Sequence, residues 1–220
     1  ILFDGIAYGM LLFVLAVGLA VTMGLMNFIN LAHGAFASLG GYLTVVLMQR
    51  FEVPFLLCVV LAFVVVGLLG LVLERTLYRP MYHRPHLDQV LFSIGLVFMT
   101  VAATDYFLGA NTQIIQLPDW LRGRTEWFEG ALGMGHYRLF IIAVCAVLAL
   151  VLQQVLSGTR FGARLRAAVD DQRVAAGLGI PVNRIFMWTF AVGSGLAGLG
   201  GALGAEVLGL DPTFPLKFMV

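Results

Sequence analysis

The chain has 220 residues, of which 60% are hydrophobic and 11% charged, and its mean hydropathy is +0.96. Soluble globular domains carry about a quarter charged residues, so this composition excludes an ordinary water-soluble fold. The formal net charge of +1 carries no information about nucleic-acid or acidic partners, and we expect no nucleic-acid partner. The two cysteines, Cys58 and Cys145, lie in apolar runs without metal-ligand spacing, and we expect neither a metal nor a cofactor.

Apolar runs of about 20 residues, the length of a helix that crosses a bilayer, recur along the chain. Six of them are predicted to be membrane-spanning helices: 6–26, 31–48, 54–73, 87–109, 137–156 and 185–210. The sequence therefore predicts an all-α polytopic membrane protein, in which 1–220 form a single transmembrane domain. The chain begins with Ile1 and ends on the apolar stretch "LKFMV", so we expect further spans beyond its C-terminus.

Basic residues set the predicted orientation. Eight of the thirteen Lys and Arg residues fall in two loops, 74–86 and 157–184. Because Lys and Arg concentrate in cytoplasmic loops, both loops are predicted to be cytoplasmic and the segment 110–136 between them external. The same alternation places the N-terminus outside and the turn at 27–30 inside.

A polar interruption, "GLMNFINLAHGAF", separates the first two predicted spans at 24–36. Non-helical backbone at membrane depth is tolerated only where it is buried in protein or lines a water-filled cavity. We predict a helix break here, whose residues either satisfy freed backbone groups or line a translocation path. These residues are Asn27, Asn30, His33 and the adjacent Gly34.

The sixth predicted span is rich in small residues, "GSGLAGLGGALGAE". Small residues recurring every four positions let helix backbones approach closely in a membrane, where apolar burial between helices contributes little. The residues predicted to pack helices together in this way are Gly193, Ala197, Gly201 and Ala205.

The loop 157–184 contains an amphipathic pattern. Apolar residues at helical spacing, from Phe161 to Ala176, predict one helix from about Arg160 to Leu178, which the glycines that follow would end. Two interpretations are open: the helix anchors at the lipid headgroups, or it docks a cytoplasmic partner.

These stretches together resemble the permease subunits of bacterial branched-chain amino-acid ABC importers. The similarity is carried by "MNFINLAHGAFASLGGYL", "ERTLYRP", "SIGLVFM", "TRFGARLRAAVDDQRVAAGLGIPVNRIFMWTFAVGSGLAGLGGAL" and "DPTFPLKFMV", in the family's order. It implies a multi-pass protein of the bacterial inner (plasma) membrane. It also implies a partner within the lipid bilayer, which is either a second homologous permease subunit or a second copy of this chain. Two cytoplasmic ATPase subunits and a periplasmic or extracellular substrate-binding protein are implied as well.

The resemblance also implies that 157–184 is the coupling loop that docks the ATPase. In this family the coupling helix carries an E-A-A-x-x-x-G pattern, which Ala175 and Gly179 match, whereas Arg173 and Val174 stand where Glu and Ala are common. The residues that it assigns to coupling are Arg164, Asp170, Asp171, Arg173, Ala175, Ala176 and Gly179.

The function implied is import of branched-chain or related hydrophobic amino acids, with ATP hydrolysed by a separate subunit. The chain itself has no nucleotide-binding G-x-x-x-x-G-K-[ST] loop. A permease for urea or short amides, whose sequences look similar in the same motifs, is one alternative. A stand-alone channel or secondary transporter is another. An intramembrane enzyme would need paired catalytic groups within the spans, and the sequence offers none.

Overall fold

The computed structural model describes residues 2–26, 28–82, 84–127 and 132–219, so Asn27 lies outside the described residues. The long helices are α1 (Leu2–Met26), α2 (His33–Phe51), α3 (Phe55–Leu73), α4 (His86–Leu108), α6 (His136–Gly158) and α9 (Val182–Leu208). The shorter ones are α5 (Asp119–Arg122), α7 (Arg160–Asp170), α8 (Gln172–Gly177) and α10 (Phe214–Lys217). The prediction of an all-α polytopic protein is confirmed, apart from a short antiparallel hairpin, Arg124–Trp127 with Leu132–Gly135, in the 110–136 segment.

Within the described ranges, five helices are long and apolar enough to cross a membrane: α1, α3 with its continuation to Met81, α4, α6 and α9. The predicted count of six is therefore too high by this measure, because α2 is not among the five. The reason is local composition, since α2 begins at His33, carries six glycine, alanine or serine residues in its first half and ends near Gln49 and Arg50. Most of α2 is buried inside the protein, and a helix covered by other helices needs less hydrophobicity than one facing lipid.

Helix α9 lies at the centre of the bundle and packs against α1, α2 and α3. Its small residues allow these contacts: Gly193 lies against α1 at Gly18, Gly198 against α3 at Val66, and Gly201 against α2 at Ala37. Ala197 and Ala205 are also fully buried. Backbones this close cannot accommodate larger side chains, which accounts for the small-residue pattern of the sequence.

The ends of the helices fall into two groups. At one end, the turn after α3 (Glu74, Arg79) and the start of α9 (Arg184) line a single cleft with α8. At the other end, Asp4 of α1 forms an ion pair with Arg138 of α6. The two Arg-rich loops therefore share one end of the bundle, as the alternation of spans predicts, and we refer to it as the cytoplasmic end.

The loop 157–184 is not one helix as predicted. The chain leaves the helical conformation at Asp171, which has φ −152° and ψ 106°, and this divides the segment into α7 and α8. The Asp171 carboxylate accepts hydrogen bonds from the backbone N–H groups of Arg173 (2.8 Å) and Val174 (3.0 Å). An aspartate that caps a new helix in this way competes with continuation of the old one.

Beyond α9 the chain folds back into the bundle. Leu210 packs against Gly41 of α2, and the carbonyl oxygens of Pro215 and Phe218 lie against Gly34, near the start of α2. The short helix α10 therefore contacts α2 and α4. This return brings Phe218 next to the polar interruption between α1 and α2.

Candidate functional site: a polar break inside the bundle

The helical conformation is interrupted between Met26 and His33, and the described residues of the interruption, 28–32, are non-helical. Phe28, Asn30 and Ala32 are all at most 2% exposed. The chain then enters α2 beside the middle of α1, since the His33 ring hydrogen-bonds to the Leu15 carbonyl. This break is therefore buried in protein, and its C-terminal end at His33 lies at the depth of the α1 midpoint.

Side chains satisfy the backbone of the break. The Asn30 Oδ1 atom accepts hydrogen bonds from the Ala32 backbone N–H and from the Tyr78 hydroxyl, each at 3.1 Å. The Ile29 N–H donates to Gln89 Oε1 at 3.3 Å. Gln89 in turn donates to backbone carbonyls of the loop before α4. The break is thus held by groups from the α3–α4 region, far away in sequence.

Aromatic packing closes the cytoplasmic side of the break. Phe28 meets the edges of Tyr78 and Tyr82, with ring centroids 5.3 Å and 5.7 Å apart. Tyr78 is completely buried and also contacts Phe190 of α9 at 4.6 Å. Edge-to-face aromatic pairs stabilise by about 0.5–1.5 kcal/mol beyond their burial. The conformation of the break is therefore specified by packing as well as by hydrogen bonds.

His33 has one satisfied ring nitrogen and one without a partner. Its Nε2 atom lies 2.8 Å from the Leu15 carbonyl oxygen, and because a carbonyl only accepts, Nε2 is the donor. A neutral imidazole then presents Nδ1 as an acceptor, and Nδ1 is buried with no hydrogen-bond partner among the described residues. The Asn30 amide nitrogen is likewise buried and without one.

A cavity of about 250 Å³ adjoins His33. Its walls come from α1, α2 and the returning C-terminal segment: Leu12, Leu15, Ala16, Leu19, His33, Gly34, Ala37 and Phe218. Small-molecule sites usually enclose about 300–1,000 Å³ and combine apolar walls with few polar groups. The cavity is slightly smaller than this range, and His33 is the one side chain with a polar group among its lining residues.

Glycines make this site possible. A Cβ atom on Gly18 would come 2.6 Å from the His33 ring, and one on Gly34 would come 2.6 Å from the carbonyl oxygens of Pro215 and Phe218. Contacts below 3 Å are not tolerated without displacement of the backbone or ring. The positions of the His33 imidazole and of the segment after α9 thus require glycine, which has no side chain, at residues 18 and 34.

The structure brings Asn30, His33 and Gly34 together and adds residues that sequence reasoning missed. Tyr78 and Gln89 hold the break, and Phe218 closes the cavity. Tyr78 belongs to the "ERTLYRP" motif, which by itself indicates no role for this residue. For Gln89, the sequence signal is a polar side chain in the first turn of an apolar span, which indicates a buried hydrogen-bonding role.

The residues assigned to coupling lie elsewhere, in α7, α8 and the turn that follows. Six of the seven are exposed, whereas Ala175 is 2% exposed and belongs to the chain's own hydrophobic core. Leu165 and Ala168 of α7 are buried there too. Ala175 therefore packs within this chain and is not exposed to a partner, and the coupling role of the seven residues stays a prediction. The exposed apolar side chains are Val174 (58%) and Leu178 (76%).

We expect Asn30→Ala to destabilise the protein, because it removes the acceptor of both the Ala32 N–H and the Tyr78 hydroxyl. A buried polar group left without a partner costs about 1–3 kcal/mol. The measurement is thermal unfolding in detergent, with Asn111→Ala in an exposed loop as control. Tyr78→Phe combined with Asn30→Ala should cost less than the sum of the single changes. An unchanged unfolding midpoint for Asn30→Ala would contradict this role.

Comparison with known proteins places these features in a family context. The family model described as "Branched-chain amino acid transport system / permease component" matches residues 1–214. The high-affinity branched-chain amino acid transport system permease protein LivH of Escherichia coli (strain K12) is 26% identical over 95% of this chain and 71% of its own length. BraD, a permease protein of such a system in Pseudomonas aeruginosa, is 26% identical over 96% of this chain and 70% of its own. A probable branched-chain amino acid transport permease protein LivH of Methanocaldococcus jannaschii is 28% identical over 92% of this chain and 65% of its own length. No solved structure matches the chain.

Proposed function

Since the chain belongs to the family of branched-chain amino acid transport permeases, we propose that it carries such amino acids inward through the inner membrane, driven by separate ATPase subunits. The protein is a multi-pass inner-membrane transport permease and not an enzyme. The observation that carries the proposal is the family match along residues 1–214. The break between α1 and α2 supports it by supplying a buried polar site in the bundle.

The substrate path that we propose runs past His33. The unpartnered Nδ1 atom of His33 and the apolar walls of the adjoining cavity suit a ligand with one polar end and one apolar side chain. Ala16 of α1 is exposed at the cavity, so the path is incomplete in one copy of the chain. We propose that a second permease subunit, either homologous or identical, covers this side. Asn27, Asn30 and Gly34 belong to the same proposed region.

The proposed partners follow from the same mechanism. Residues 157–184 form the coupling loop in this proposal, and the residues that contact the ATPase are the exposed ones of α8 and its flanks. A substrate-binding protein delivers the amino acid at the external end. A urea or short-amide permease differs from this proposal in its substrate. A stand-alone channel or secondary transporter differs in needing no ATPase.

The test is uptake by membrane vesicles that contain the protein with its binding protein and ATPases. We expect ATP-dependent accumulation of labelled leucine, which unlabelled isoleucine or valine should reduce by competition. We expect no accumulation of labelled acetamide or urea. His33→Leu should abolish leucine uptake at unchanged membrane abundance, because the apolar replacement removes the acceptor in the path. Accumulation of acetamide in place of leucine would contradict the proposed amino-acid substrate. Accumulation of leucine in vesicles without the ATPases would contradict the proposal that ATP hydrolysis drives transport.

A further inference from the structure

The cytoplasmic end carries a cleft of about 830 Å³, which α8 lines together with the turn after α3 and the start of α9. Four arginines line it: Arg75, Arg79, Arg173 and Arg184. All four are exposed, and none forms an ion pair with a carboxylate in the part of the chain that the structure describes. The cleft therefore concentrates positive charge that the chain itself does not neutralise.

One carboxylate, that of Glu74, also lines the cleft. It is 2% exposed and accepts a hydrogen bond from the Tyr82 hydroxyl at 3.0 Å, so it is engaged inside the protein. The neighbouring carboxylates of the coupling loop, Asp170 and Asp171, are not among the lining residues. An occupant of the cleft would therefore have to supply the negative charge that pairs with the arginines.

Two cytoplasmic loops supply these arginines. Arg173 and Arg184 belong to the loop 157–184, whereas Arg75 and Arg79 belong to the turn after α3. The sequence motifs assign coupling to the first of these loops alone, yet the second presents its charge to the same space. A partner that fills the cleft therefore contacts both loops at once.

The turn after α3 has a buried side and an exposed side. Its π-helical segment buries the side chains of Glu74 and Tyr78, whereas Arg75 and the following Arg79 are exposed. The buried Tyr78 hydroxyl donates to Asn30 of the polar break. Single π-helical turns are rare and often lie at functional sites. An occupant of the cleft thus contacts a turn whose buried side holds the break.

The cleft is continuous with the surface that we propose for ATPase coupling. Gln172, Arg173 and Ala176 of α8 line it. Val174 of α8 and Leu178, directly after it, lie outside this lining and are 58% and 76% exposed. A partner that covers these two apolar side chains therefore borders the cleft.

We propose that the cleft is a further contact for the ATPase, which inserts an acidic surface between α8 and the turn after α3. The docking site rests on the proposed transport function, since it describes how the same ATPase binds. Guanidinium groups pair with carboxylates through two parallel hydrogen bonds. A lipid headgroup or a free anion would also pair with the arginines, but neither accounts for the exposed Val174 and Leu178 beside them, which a protein surface covers.

The test is the affinity of the purified ATPase subunit for the purified permease in detergent, measured over a range of salt concentrations. We expect Arg75→Gln/Arg79→Gln to weaken binding about tenfold at low salt, because two charges that attract the acidic surface are removed. The affinity of this variant should also depend less on salt, since fewer charge pairs remain to be screened. Arg75→Lys/Arg79→Lys, which keeps both charges, should retain most of the affinity.

The matched control is Arg84→Gln/Arg160→Gln, which removes two exposed arginines of the same loops that do not line the cleft. We expect its affinity to stay near that of the unmodified permease. All these side chains are exposed, so membrane abundance and the unfolding midpoint should not change. Unchanged affinity in Arg75→Gln/Arg79→Gln, or an equal loss in the control, would overturn the docking site. Absence of ATPase binding by the unmodified permease would instead contradict the proposed function on which the site rests.

A thiol placed in the cleft identifies the occupant directly. Asn183 lines the cleft and is exposed, so Asn183→Cys adds a reactive group and keeps all four arginines. The chain's own cysteines, Cys58 and Cys145, are buried. We expect the purified ATPase to protect the added thiol from a water-soluble maleimide. Inorganic phosphate should give no protection, and labelling should be equal in phosphatidylglycerol and phosphatidylcholine nanodiscs.

The other occupants would each give a different pattern of protection. Protection by phosphate would assign the cleft to a free anion. Protection in phosphatidylglycerol but not in phosphatidylcholine would assign it to an anionic lipid. Either result, or full labelling in the presence of bound ATPase, overturns the docking site.

Discussion

Gly201→Leu is expected to prevent stable assembly of the helix bundle. A single Cβ atom at this position would already overlap the Ala37 carbonyl oxygen of α2, so the obstacle is backbone and not a side chain that can rotate away. Overpacking of a core usually costs about 1–3 kcal/mol and occasionally more, and we expect the upper end or beyond here. The measurements are membrane abundance and the unfolding midpoint of whatever protein is recovered.

The same substitution at Gly95 is the matched control. Gly95 also lies within a membrane helix, α4, but nothing lies within 4 Å of a Cβ placed there. Gly95→Leu and Val207→Leu, the latter at a partly exposed residue of α9, should leave abundance near that of the unmodified protein. Equal tolerance of leucine at Gly201 and Gly95 would show that α2 and α9 are not held in the contact described.

Val174→Glu combined with Leu178→Glu is expected to abolish ATPase association while leaving the permease intact. Both side chains are exposed in this chain, so the charges stay in water until a partner covers them. Burying an unpaired charge at an interface costs about 3–5 kcal/mol, which corresponds to a loss of affinity of about a hundredfold or more. We expect normal abundance, loss of ATPase co-purification and loss of ATP-dependent uptake.

Two comparison variants make this result specific. Ile114→Glu adds the same charge to an exposed apolar residue of the 110–136 loop, and we expect no effect on ATPase binding. Ala175→Glu should instead lower the amount of folded protein, because Ala175 is buried in the core of this chain. If the Val174→Glu/Leu178→Glu protein still binds the ATPase and takes up leucine, α8 serves only as a membrane-surface anchor.

Several features were predictable because they depend on local composition. Long apolar runs identify spans without reference to their neighbours, and five of the six predicted spans are confirmed. The placement of the two Arg-rich loops at one end follows from counting charges and crossings. The small residues of α9 indicated close packing, although their partners in α1, α2 and α3 were not predictable.

The sequence by itself determined the class of protein, five of its spans and the location of the polar break, since hydrophobicity and charge act within each segment. Only the tertiary structure decided what holds the break and what lies beside it. Tyr78 is 48 residues from Asn30, and Leu15 is 18 residues from His33, so these partners depend on how separate helices pack. The same holds for Ala175 and Val174, adjacent in sequence, because the rotation of α8 after the Asp171 break buries the first and exposes the second.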